Sequence, residues 1–411
     1  MKIIKAKQII IGNGTLIEKG CIVLDDGLIK SVEKGWQLAE QHPADVVDYS
    51  TCTVMPGMID CHVHVHTPGG PDENYSMSFL QDAPAALVLK SLSYVQNDLK
   101  MGFTTIRSLS SPAYVDVALR DAINAGYCPG PRIFAAGQGI TVTGGHMDKA
   151  WWAQHVSVSY QTGVGDGPWG CRVATRAQMK WGANVIKINA CGGSLSDLEK
   201  PWHQEMTFEE MKAVIDEAHE AGLKVAAHTS GGPGITDAIL AGLDSVEHGQ
   251  WLTDEQIQLM VERNVFYVPT LTTNSHGLKM GKEFLGSSDR EWAWMTKTGE
   301  DRWDSLKRAK QAGVKICTGT DAGFWVYHGE NAMELEELVI GGFTPMEAIQ
   351  AATLTGAECV GMANEIGSIE PGKIADLVVV KIDPLQDITG LQKEENILQV
   401  FQAGKPVKVD C

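Results

Sequence analysis

The chain has 411 residues, 44% of them hydrophobic, and its 51 acidic against 34 basic residues give a formal net charge of −17. That length exceeds one ordinary compact core but suits a barrel of roughly 250–300 residues with a smaller unit beside it. The acidic excess argues against a nucleic-acid partner, which needs a basic face, and no apolar run reaches the roughly 18 residues of a membrane span.

The N-terminal MKIIKAKQIIIGNG interleaves lysines with aliphatics, so it reads as a first strand and not as a signal peptide. Residues 3–50 continue as short β-rich runs broken at GNG, DDG and EKG. Residues 366–410 repeat that style in IGSIEPGKIADLVVVKIDP and ILQVFQAGKPVKV. Both ends are thus expected to form one small β unit, residues 1–53 with 363–411.

Between them, short apolar runs alternate with helical patterns of about 10–15 residues, the signature of repeated βα units. The expected strands, in order, are VMPGMID, FTTIRSL, PRIFAAG, ANVIKIN, LKVAAHT, LDSVEHG, VFYVPTL and VKICTGTD. Eight parallel strands each followed by a helix close into a barrel, so the fold class is α/β, a (β/α)8 TIM-like barrel over 54–362. Thr207 with Glu210, Thr253 with Gln256, and Thr344 with Glu347 are capping-box patterns that open helices. Residues 280–312, rich in tryptophan, read as a longer helix before the last strand that enlarges into a cover. The nine cysteines form no C-x-x-C pair, which points to reduced thiols, a cytoplasmic location and no zinc-finger-type site.

Chemistry enters at MIDCHVHVHTPGG. Alternate side chains of a strand share a face, so His62, His64 and His66 are expected to point the same way. His62 and His64 end strand one, Lys187 lies in strand four, His228 ends strand five, His248 ends strand six and Asp321 ends strand eight. The carboxyl ends of barrel strands are where this fold builds active sites. Imidazoles and a carboxylate gathered there suit divalent zinc or its neighbours. An ammonium repels cations, so Lys187 makes sense once its nitrogen has reacted with carbon dioxide to an anionic carbamate that bridges two metals. Two such ions roughly 3.5–4 Å apart would share a hydroxide whose pKa lies near about 7. Asp321 would take the proton of that nucleophile and hand it to the leaving nitrogen.

With these residues in view, the chain resembles the amidohydrolase superfamily. MIDCHVH, VIKINACGG, KVAAHT, SVEHG, TGTDAG and the late GSIEPGKIADLVV carry the resemblance over nearly the whole length and in the family's order. GITVTGGH, INACGGSLS, HGENAMELEELV and GGFTPMEAIQAAT are similar to its prolidase and Xaa-Arg/Lys carboxypeptidase-like branch, loosely termed imidazolonepropionase-related. The resemblance implies a metal-dependent barrel flanked by a small β-sandwich made from both chain ends. It implies His62, His64 and Asp321 on one metal, His228 and His248 on the other, and carboxylated Lys187 between them, the two divalent ions being zinc. It also implies that His146 polarises the scissile carbonyl and that the chain assembles into homo-oligomers.

The activity so implied is cleavage of an amide bond in a dipeptide or N-acyl amino acid. Two departures bear on specificity: Ser230 stands where relatives that cleave before proline often carry tyrosine, and Ser108 where an aspartate often follows the arginine. Ser230, His276 and His328 are the candidate substrate contacts, the Trp151–Trp152 pair a further candidate for the pocket. His66, Trp294 and Trp303 read more as structural residues, and GGPG at 231–234 as a close turn and not a phosphate loop. A lactone or phosphotriester hydrolase would keep the same site. An imidazolonepropionase or deaminase typically uses one metal and lacks the strand-four lysine, so Lys187 counts against it. A non-catalytic scaffold generally loses ligands, and here all six are present.

Overall fold

A computed structural model of the chain describes residues 1–70, 81–148, 163–193, 200–285 and 287–407, with the backbone alone at 291 and 300. At the N-terminus, β1 (Lys2–Ile10) pairs antiparallel with β2 (Leu16–Asp25), and β2 with β3 (Leu28–Lys34). The β2–β3 hairpin turns on Asp26 and Gly27, both at positive φ, which is the backbone that a two-residue Asp-Gly loop supplies. β4 (Val46–Pro56) then runs parallel to β1.

The chain next enters a region of parallel strands separated by helices. These are β5 (Met58–Val63), β6 (Phe103–Ser108), β7 (Arg132–Ala135), β8 (Ile140–Thr141), β9 (Gly163–Val164), β10 (Ile186–Asn189), β11 (Val225–Thr229), β12 (Ser245–His248) and β13 (Phe266–Val268). They form two sheets, ordered β5-β6-β7 and β13-β12-β11-β10-β8-β9, in which every pairing is parallel. All six residues of β5 and of β6 are buried, as a strand covered on both faces requires. The three expected capping boxes are present, each threonine accepting from the backbone N–H three residues on. The long helix is Asp289–Ala312.

Finally β14 (Leu377–Val380), β15 (Ile397–Gln402) and β16 (Lys405–Pro406) rejoin the first sheet, whose order is β16-β15-β14-β4-β1-β2-β3. Leu377 lies opposite Pro56 in the antiparallel β14–β4 pair, so both chain ends do meet in one unit. Its hydrogen bonds form one continuous seven-stranded sheet where two packed layers were expected. Ile4, Ile9, Ile22, Leu377, Val379 and Phe401 share its main apolar cluster.

Seven of the eight expected middle strands form at their apolar runs; the eighth, VKICTGTD, is irregular. It still bonds to both neighbours. Cys317 N–H donates to the Tyr267 carbonyl (3.0 Å), Cys61 N–H to Thr318 (2.9 Å), and Asp321 N–H to His62 (2.8 Å). Single bridges join Tyr267 to Ile316 and Val63 to Ala322. The reason for the irregularity is local: Asp321 has φ +60°, and a Cβ at Gly319 would stand 2.3 Å from Val268 and 2.9 Å from His62 Cβ. The backbone there approaches too closely for a side chain to extend the strand.

Candidate active site

The side chains expected at strand ends converge in one pocket. His62, His64, His146, Lys187, His228, Ser230, His248 and Asp321 all line it. β5 stops at Val63, and the His64 N–H, bonded to the Ala322 carbonyl at 2.7 Å, carries the same face one residue pair further. Asp321 Oδ1 consequently stands 3.1 Å from His64 Nε2 and 3.5 Å from His62 Nε2. The rings of His62 and His248 lie 4.9 Å apart, those of His248 and His228 4.6 Å, and His146 stacks on His228 at 4.2 Å. His62, His248 and Asp321 present ligand atoms that all lie within 4.8 Å of one another, a candidate metal-binding group.

A layer beneath holds these rings in orientation. His62 Nδ1 contacts Glu247 Oε2 at 2.8 Å, and Glu247 Oε1 accepts from Arg107 (2.8 Å) and from the Ser245 hydroxyl (2.5 Å). Arg107 and Glu247 are both buried, so each is the other's charge partner in a place where neither would be tolerated alone. His248 has φ +68°, which breaks strand alternation and lets consecutive residues Glu247 and His248 both serve the site. Its Nδ1 lies 2.7 Å from the Thr270 hydroxyl, and His64 Nδ1 lies 3.2 Å from the Ser110 carbonyl. With the second nitrogen so engaged, each ring turns a nitrogen toward the pocket, the arrangement of a metal-binding histidine. Asp60 ties the irregular eighth segment to β5: it accepts from His62 N–H, the Thr320 hydroxyl and Asn331. Burial pushes its carboxyl up to about 6.

Electrostatics favour lone pairs here. Burial, reinforced by neighbouring positive groups, holds His62, His228 and His248 well below the usual imidazole range. They are therefore neutral at pH 7 and able to donate to a cation. Asp321 stays ionised below the usual carboxylate range: burial acts against the charge, but His62, His64 and Lys187 outweigh it. The buried Nε2 of His228 has no hydrogen-bond partner among the described residues, a gap that a bound ion would fill. Burial also lowers the Lys187 ammonium to about 8, so a minor fraction, roughly a tenth, is free amine at neutrality. Nitrogen and carboxylate donors of this kind fit divalent zinc or its neighbours.

Other expected residues sort themselves by position. Ser230 reaches the pocket wall, whereas His276 and His328 do not. His276 stands on the helix Leu271–Met280, 3.7 Å from Glu330. His328 is buried against Asp98 (2.7 Å), with its other nitrogen 3.3 Å from the His64 carbonyl, so it braces the loop behind the ligand. His66 is buried with its ring 6.0 Å from that of His64. Trp303 stacks on Arg302, as a packing residue does, but Trp294 joins Phe324 and Trp325 on the pocket wall. Trp151 and Trp152 lie outside the described residues. Gly232, at φ +81°, lets the chain pass where a Cβ would meet the Trp202 carbonyl at 2.2 Å, the close turn expected of GGPG.

Sequence reasoning passed over Arg107, Glu247, Asp60 and Thr270. A signal for two of them was present, since a lone arginine in FTTIRSL and a lone glutamate in SVEH are charges in strands that must be buried.

Residues 53–407 match the amidohydrolase family. The ochratoxinase of Aspergillus niger is 31% identical, across 99% of this chain and 86% of its own. Among solved structures, a Xaa-Pro dipeptidase with methionine bound in its active site has 33% identity and a TM-score of 0.90, with 99% of this chain and 100% of the other covered. A prolidase complexed with N-methylphosphonate-L-proline has 30% identity and a TM-score of 0.86, covering 100% of both chains.

Proposed function

We propose that this chain, which belongs to the amidohydrolase family, cleaves the amide bond of a dipeptide or an N-acyl amino acid at a site for two divalent ions. The observation that carries the reading is the convergence of His62, His64, Lys187, His228, His248 and Asp321, drawn from four strands and the irregular segment 314–321, on one pocket. His62, His64 and Asp321 would hold one ion, His228 and His248 the other. The Lys187 amine, free in part near neutrality, would attack carbon dioxide, lose a proton and become the carbamate that bridges them. Bound there, two divalent cations, of which zinc suits the donors, polarise a carbonyl and lower the pKa of water toward about 7.

The remaining work falls to the chain. Asp321 accepts the nucleophile's proton and returns it to the departing amine nitrogen. His146, stacked beside His228, donates to the carbonyl oxygen as negative charge develops on it. Support for an amino-acid product comes from two neighbours, one binding methionine and one a proline phosphonate. Phe324, Trp325 and Trp294 give the pocket an apolar wall for a large side chain. We further infer that β5, β6, β7, β10–β13 and the bonded segment 314–321 close as an eight-stranded barrel, with the terminal sheet as a separate domain; the hydrogen bonds of that segment to both β13 and β5 support this.

The test is metal analysis of the wild type beside a His228→Ala, Asp321→Ala double variant, together with a panel of dipeptides and N-acyl amino acids. The two proteins are expected to differ by two ions per chain, and only the wild type to release amino acids. Lys187→Ala is expected to lose turnover and recover part of it with short carboxylic acids. Equal metal content in both proteins, or turnover confined to lactones or phosphotriesters, overturns the reading.

A further inference from the structure

The cysteines, scattered in sequence, are not all scattered in space. Cys61 lies in β5 beside His62, Cys317 in the segment bonded between β13 and β5, and Cys359 on the helix Gly356–Val360. Their Sγ atoms all lie within 4.8 Å of one another, and all three residues are buried. Metal–sulfur bonds of about 2.3 Å place sulfurs roughly 3.8 Å apart around a tetrahedral ion and roughly 4 Å apart around a trigonal one. The observed spread reaches that geometry with shifts of under about 1 Å.

Two features go beyond the close approach of three thiols. The first is charge. Arg107, itself buried and paired with Glu247, donates to the Cys61 carbonyl at 2.5 Å and so places a guanidinium beside the cluster. The second is access. A cavity of about 570 Å³ opens at the first residues of β7 and at those that precede β10 and β11, and Cys359 and Arg107 form part of its wall with Arg120, Arg132 and Lys224. It therefore reaches the cluster through Cys359, on the side away from the imidazole pocket at the carboxyl ends of the strands. Three thiolates on a divalent ion carry one net negative charge, which a wall with four cations and the single carboxylate of Glu365 accommodates.

We propose that Cys61, Cys317 and Cys359 form a second metal site, separate from the imidazole pocket, for one thiophilic divalent ion of the zinc and cadmium class. On binding, three S–H bonds give way to three metal–sulfur bonds, three protons pass to solvent, and a fourth position stays open to a cavity water. No electron is transferred. Because Cys61 adjoins His62, and Arg107 links the Cys61 carbonyl to Glu247, an ion there also stiffens the floor beneath the catalytic ligands.

Cadmium titration of the full-length protein, its imidazole site first saturated with zinc, tests this. Sulfur-to-cadmium charge transfer absorbs in the ultraviolet, whereas cadmium on imidazole and carboxylate does not produce that band. The band is expected to saturate at one ion per chain with an intensity of three thiolates, and about three protons per bound ion are expected to be released to solvent. Cys317→Ser and Cys359→Ser are each expected to remove about a third of the intensity and weaken binding at least tenfold. Cys128→Ser, outside the cluster, is expected to leave both unchanged. A wild-type protein with no stoichiometric band overturns the proposal, as does a band indifferent to both cluster substitutions. Should the serine variants not fold, the wild-type titration and its proton release decide alone.

Discussion

The rim of the pocket and the terminal sheet treat their backbones in opposite ways. Ser110, Met147, His248, Thr270 and Asp321 all line the pocket, and all five hold positive φ without being glycine. In the terminal sheet, such conformations fall at Lys19 within β2 and at turns (Asp26, Ala403), while the strands pack aliphatic faces together across register shifts at Ala6/Gln8, Val23/Leu24 and Val379/Val380. Each left-handed residue that is not glycine is strained, by about 1–3 kcal/mol at functional sites. The rim also buries four imidazoles, an ammonium and a carboxylate; the sheet's cluster buries isoleucine, valine and leucine. Placement of the pocket side chains is thus held against local preference at one end of the molecule, and aliphatic packing supplies stability at the other.

If that division is right, damage to each region has a different signature. The largest effect belongs to the rim. Asp321→Asn is expected to lower kcat by about 10²–10⁴-fold, the range of a lost acid–base group, and His228→Ala by orders of magnitude, with little change in melting temperature. Steady-state kinetics beside calorimetry would read both; full activity in Asp321→Asn would remove its proton role. Beneath the rim the two signatures merge. Glu247→Gln leaves the Arg107 guanidinium buried without its charge partner, and breaking such a pair costs about 3–5 kcal/mol. It also frees the His62 ring, so urea unfolding and metal content are both expected to fall. A variant that loses only one of the two would separate folding from ligand positioning.

In the terminal sheet, damage is expected to be purely structural. Leu377 is fully buried in the cluster with Ile4, Ile9 and Phe401. Leu377→Ala is expected to destabilise by about 2–5 kcal/mol through lost burial and the cavity left behind. Turnover per folded molecule is expected to stay at the wild-type value. A changed kcat in the folded fraction would show that the sheet reaches the site.

What could be read in advance followed the same division. Periodicity located β5, β6, β7 and β10–β13, because apolar runs bounded by turns follow from strand geometry alone. Threonine with glutamate or glutamine three residues on located three helix starts for an equally local reason. The pocket histidines were legible because several imidazoles recur at the carboxyl ends of expected strands. The supporting layer was not, since Asp60, Thr270, Arg107 and Glu247 gain meaning only from partners far along the chain. The eighth strand was overdrawn, because nothing in VKICTGTD announces that Gly319 must press against Val268 and His62. His276 and His328 looked like substrate contacts by type, yet tertiary packing turned them to Glu330 and Asp98. The three clustered thiols lack any spacing motif, so the absence of C-x-x-C said nothing of their meeting.

Thr270 offers the finest separation of strain from function. It is a buried, β-branched residue at φ +46° and ψ +48°, an outlier for its type, and it precedes the helix Leu271–Met280. Its hydroxyl lies 2.7 Å from His248 Nδ1. In Thr270→Gly the backbone strain of about 1–3 kcal/mol disappears, but so does a hydrogen bond worth about 1 kcal/mol, and glycine adds about 1 kcal/mol of unfolded-state entropy. The terms nearly cancel, so the melting temperature is expected to move by only a few degrees. Function has no such compensation, because the released ring no longer fixes its donor nitrogen. Loss of a partner behind a metal-binding histidine lowers metal affinity or activity by about 10–100-fold. A competition titration with a chelator, run beside thermal unfolding, would read the two effects independently. Weakened metal binding at nearly constant stability would mean that the rim's strain serves ligand orientation; unchanged binding would mean that Thr270 is strained for packing alone.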